Sequence, residues 1–140
     1  MQENLKIQQK ELLIRPFTVP IYDWTVVLLI GEEDTALNLI ETKECCQLEN
    51  CYCGVSLGST FQPKSTIYIW YPSDASLKTK CHEILHATFY ILNSVGVDVR
   101  DQEAVCYLFE YILDQCLKLD EKFIQTEVVS ITENEEDTQQ

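Results

Sequence analysis

The sequence predicts an α+β fold: a small antiparallel or mixed sheet packed on a motif-bearing helix and a second long C-terminal helix. Three observations carry this expectation. Two short runs, DWTVVLLI at 23–30 and TIYIWY at 66–71, are apolar and rich in β-branched and aromatic residues, and Gly31 and Pro72 close them. Two later runs, at about 74–93 and 101–119, are long and repeat apolar residues at helical spacing. The strands come first, with a short helix between them as one reading, and the two long helices last, which is an α+β order.

Taken in order, residues 1–10 are polar and read as frayed or weakly helical. Residues 11–20 alternate unevenly and contain Pro16 and Pro20. Proline has no N–H to give to a ladder, so this segment reads as an edge strand or an extended lead-in. The unbroken hydrophobicity of 23–30 implies burial on both faces and therefore a central strand. In 32–44, Ala36, Leu37, Leu39 and Ile40 suit a short amphipathic helix with acids in its first turn, and a hairpin return is the alternative. Residues 52–61 contain two glycines and suggest a bent strand, with a turn at 62–65 around Pro63. Pro72 ends the strand at 66–71, and Ser73, Asp74 and Ser76 are N-cap candidates for the helix that follows. Cys81, Ile84, Leu85, Thr88, Phe89, Ile91 and Leu92 spread over one broad face of that helix, and Gly96 marks its expected stop. In the last helix the core face is Ala104, Val105, Leu108, Phe109, Ile112 and Leu113. The expected organisation is one domain over 1–123 and an acidic, disordered tail over 124–140, without internal repeats.

With 140 residues the chain is long enough for one modest core. A net charge of −13 argues against nucleic-acid binding through phosphates and against an anionic membrane surface. The longest apolar run, 24–30, is far too short to span a bilayer, and the first residues lack the apolar centre of a signal peptide. A soluble, cytoplasmic chain with reduced thiols is expected. Seven cysteines is an odd count, so at least one cannot pair within the chain. Cys81, Cys106 and Cys116 fall in helical patterns and read as core residues. Cys45, Cys46, Cys51 and Cys53 are closer together, but they lack two separated C-x-x-C knuckles, and the adjacent pair is awkward for one tetrahedral ion. They read as ordinary thiols, with a second, structural metal as the alternative.

Both histidines of the chain belong to one motif, His82-Glu83-Ile84-Leu85-His86. Residues four apart stand one turn apart on the same face of a helix, so two imidazoles can aim at one point. Zn²⁺ takes neutral imidazole nitrogens and lowers the pKa of its bound water. Glu83 sits about 100° around the helix from His82, where a carboxylate can reach such a water as general base. A hydrolytic zinc site usually has a third protein ligand. The candidates are Asp98, Asp101, Glu103, Glu110 and Asp114. Glu103 is favoured because it opens the next helix after a connector short enough to fold the two helices antiparallel. The helical wheel opposes this choice, since Glu103 falls with Tyr107, Glu110 and Asp114 on the side away from the core face. For stabilising an oxyanion, Tyr107 is the first candidate and Tyr90 the second.

The segments HEILHATFYIL and QEAVCYLFEYIL together resemble the minimal zincin metallopeptidases, in particular small gluzincin-like proteins carried by phages and mobile elements. More distantly the chain is similar to the ImmA/IrrE family, where H-E-x-x-H precedes a helix of the E-A-x-x-F-A type. The resemblance covers about residues 66–119, and no Leu-Met-Pro-like segment follows the second helix. It implies a minimal zincin-like fold, with His82, His86 and Glu103 as zinc ligands and Glu83 as general base. The implied partner is a peptide or protein substrate, in a host cytoplasm or a virion if the chain is phage-encoded. A zinc-dependent peptidase is the first expectation. The alternative is an inactive or structural zinc protein of a phage virion or assembly that works through protein–protein contacts.

Overall fold

A computed structural model of the chain describes residues 12–48 and 57–139, with side chains as far as residue 120. Four strands, β1 (Leu13–Val19), β2 (Trp24–Ile30), β3 (Ser59–Phe61) and β4 (Thr66–Tyr71), form one sheet in the order β1-β2-β4-β3. The three helices are α1 (Glu33–Glu44), α2 (Leu77–Val95) and α3 (Gln102–Gln139). The sheet is mixed: β2 pairs antiparallel with β1 and parallel with β4, and β3 returns antiparallel on the outer side of β4. The α+β class is therefore observed.

The apolar strands are central for the reason their composition implies. Side chains alternate across a sheet, so Val26, Leu28 and Ile30 face one side and Val27 and Leu29 the other. The first set joins Ile67, Ile69 and Tyr71 of β4 in a core shared with α2 and α3. The second joins Tyr68 and Trp70 in a smaller core covered by Ala36 and Ile40 of α1. With apolar groups buried on both faces, neither strand has a polar side to show to water. Pro16 lies in β1, an edge strand, where a missing N–H breaks no inner ladder.

α2 starts and stops where its capping residues dictate. Ser76 Oγ accepts from the backbone N–H of Thr79 at 3.1 Å, and Gly96 closes the helix at φ +80°. Its inner face, Ile84, Ala87, Thr88, Ile91 and Leu92, is fully buried against the sheet and α3. Each large aliphatic among these contributes on the order of 1.5–3 kcal/mol relative to exposure. Lys80 near its start reaches Asp120 of α3 at 2.5 Å, both side chains mostly buried, so an ion pair ties the two helices together at that end. Leu108, Ile112 and Cys116 supply the buried stripe of α3.

Several expectations change. The last helix does not end near Leu119: its backbone continues to Gln139 and so runs through the segment read as a tail. The strand expected over 52–61 is described only as Ser59–Phe61, and residues 49–56 lie outside the described residues. So do residues 1–11, which include the stretch 1–10 read as frayed or weakly helical. Cys116 is a core thiol as expected and Cys81 is half-buried, but Cys106 is exposed, because it lies off the stripe of Leu108 and Ile112. Among the described residues no helix is long and apolar enough to cross a membrane.

Candidate functional site

The H-E-x-x-H residues divide between two environments according to their angle around α2. His82 and His86 lie on the exposed flank, while Glu83 is turned inward and only 6% exposed. The two imidazoles meet edge to face, with ring centroids 4.8 Å apart and Nε2 atoms 3.3 Å apart. Two nitrogens bound to one tetrahedral zinc, each at about 2.0–2.1 Å, stand about 3.3–3.4 Å apart. The observed spacing therefore fits a shared divalent ion. Without an ion, the same spacing suits one N–H donated from ring to ring. Tyr90, one turn further on, stacks on His86 with centroids 6.3 Å apart and planes 23° apart, and so steadies that ring.

Glu83 is fixed from the sheet side. Thr60 of β3 lies opposite Ile69, a residue of the core beneath α2, so its side chain points towards the motif helix. Its Oγ1 is 2.8 Å from Glu83 Oε1 and 2.8 Å from the Glu83 carbonyl oxygen. Gly58, next to β3, allows this approach: a Cβ there would stand 3.0 Å from Glu83 Cγ and 3.0 Å from Thr79 Cγ2. On the opposite flank of His82, a cavity of about 470 Å³ opens between α2 and α3. Lys78, Cys81, Leu85, Val105, Cys106 and Phe109 line it together with His82. The imidazole pair thus stands between a buried carboxylate held by an edge strand and a largely apolar hollow.

The remaining expected residues are less closely assembled. Glu103 lies exposed in the first turn of α3. No group of three His, Cys, Asp or Glu side chains converges among the described residues, so the structure pairs His82 with His86 and does not bring Glu103 to them. Its rivals have other partners. Asp98 binds the Arg100 guanidinium through both carboxylate oxygens, and this contact holds its carboxyl below the usual range. Asp101 Oδ1 accepts from the N–H of Ala104 at 3.2 Å, and Asp114 pairs with Lys118. Tyr107 is 68% exposed and, with Glu103, Glu110 and Asp114, forms an outward stripe on α3. Of the two tyrosines considered for the oxyanion, Tyr90 is the one that stacks on an imidazole, that of His86. Cys45 is exposed and Cys46 partly so, while Cys51 and Cys53 lie outside the described residues.

Thr60 and Gly58 are site residues that sequence reasoning missed. A lone threonine in a three-residue strand carries no spacing signal, and only the pairing register turns it towards Glu83. Compared with known proteins, the chain matches no family model, no curated protein and no solved structure.

Proposed function

We propose that this chain is a zinc-dependent peptidase of minimal zincin-like type, acting on peptide or protein substrates. The observation that carries the proposal is the 3.3 Å spacing of the His82 and His86 Nε2 atoms on the open flank of α2, with Glu83 following His82 in the chain and turned towards β3. His82 and His86 supply two ligands. Glu103 is the residue we assign as the third, and it would have to turn towards the pair to bind, since the described residues do not hold it there: it is exposed and one short connector away, whereas Asp98 and Asp101 are both engaged. Bound zinc would polarise the scissile carbonyl and activate a water molecule as nucleophile.

Glu83 is the proton carrier. Its carboxylate accepts the proton released by the water and passes it to the departing amine. Thr60 donates to Oε1 at 2.8 Å and so fixes the carboxylate's orientation before reaction. Tyr90 is the available hydroxyl for the developing oxyanion, since it already rests on His86.

The test measures zinc content by elemental analysis and then turnover of a mixed peptide library with and without chelator. Zinc near one equivalent with chelator-sensitive cleavage is expected, and Glu83→Gln should keep the metal and lose cleavage. Zinc without any cleavage would favour a structural role, and cleavage by Glu83→Gln at the wild-type rate would exclude the assigned base.

A further inference from the structure

We propose that Thr60 is the positioning residue for Glu83, a hydroxyl that holds the carboxylate at rest and releases it to act. The inference builds on the assignment of Glu83 as proton carrier. Thr60 Oγ1 is equally placed for two acceptors of the same residue, 2.8 Å from Oε1 and 2.8 Å from the main-chain carbonyl oxygen. A hydroxyl has one proton and can give it to one acceptor at a time. With the proton on Oε1, the carboxylate is tied to β3. Rotation about the Cβ–Oγ1 bond moves the proton to the carbonyl and frees the carboxylate, and no buried donor is left unpaired. The exchange needs no movement of the strand.

Two features of the fold serve this arrangement. β3 spans only Ser59–Phe61, and its antiparallel register opposite β4 places Thr60, not its neighbours, on the α2 side. Gly58 lets the chain pass close over the Glu83 stem, where an added Cβ would press on Glu83 Cγ and Thr79 Cγ2. Glu83 is buried, and a buried carboxylate without a donor is costly, so loss of the hydroxyl should drive it outward.

The experiment compares the full-length wild type, Thr60→Val and Thr60→Ser, with Thr60→Ala in place of valine if that variant does not fold. Labelling of the Glu83 carboxylate by carbodiimide and glycine ethyl ester, read by mass spectrometry, needs no turnover. The valine variant should label several-fold faster than wild type at a similar melting temperature, and serine should restore the slow rate. On the peptide library, the valine variant should lose about 10- to 100-fold in kcat at unchanged KM and unchanged zinc affinity, again restored by serine. Equal labelling of Glu83 in all the proteins overturns the assignment, whatever the turnover. A labelling change in a protein that cleaves nothing upholds Thr60 and removes the peptidase proposal instead.

Discussion

His82 and His86 present their Nε2 atoms to each other across one turn of α2, 3.3 Å apart and on the solvent side of the helix. That relationship makes metal binding the most direct property to measure. His82→Ala and His86→Ala should each weaken zinc by more than the roughly 10- to 100-fold typical of losing an outer-shell partner. Competition with a chromophoric chelator reads this, and unchanged affinity in both variants would remove the site.

The third ligand is open to a separate comparison. Glu103→Gln should lower zinc affinity, whereas Asp98→Asn and Asp101→Asn should leave it near wild type, since one carboxylate is held by Arg100 and the other caps α3. The same titration ranks the three, and a loss confined to Asp101→Asn would move the third ligand to the connector.

The Lys80–Asp120 pair should matter more for stability than its surface counterparts, because both side chains are largely out of water. Asp120→Ala leaves an ammonium buried without its partner, which costs about 3–5 kcal/mol. Replacing both residues with apolar ones, as in Lys80→Met with Asp120→Leu, should recover most of that. Urea unfolding midpoints provide the comparison. A loss below about 1 kcal/mol for Asp120→Ala would place the pair in the class of exposed ion pairs.

Alkaline pH should destabilise the fold through Cys116. Burial, aided by the nearby Asp120 charge, pushes its thiol from the ordinary cysteine range up to about 12. The folded state therefore holds the proton where the unfolded chain releases it. The stabilisation is complete below about pH 9 and is lost as pH rises towards 12, on the order of 4 kcal/mol in all. The buried Tyr71 hydroxyl, also raised by burial, acts in the same direction. Measured from pH 8 upward, Cys116→Ala should lose stability less steeply than wild type, and parallel curves would contradict the buried thiol.

Much of the architecture is legible in the chain itself. The central strands announce themselves by unbroken hydrophobicity, α2 by Ser76 and Gly96 at its ends, and the imidazole pair by a four-residue interval. All of these are local properties: propensity, capping and helical repeat act between residues close in sequence. The length of α3 was not legible, because its polar end lacks the apolar period that marks a helix.

Other features depend on residues distant in sequence. Whether β2 runs parallel to β4, that Thr60 meets Glu83, that Lys80 finds Asp120 and that Cys106 faces outward were all decided by packing. A strand's register slips by one residue at no cost in local propensity, yet the slip reverses which side chains face the helix. Local sequence therefore determined which chemistry α2 carries. Tertiary structure decided which of its groups stays open to solvent and which is held by a neighbouring strand.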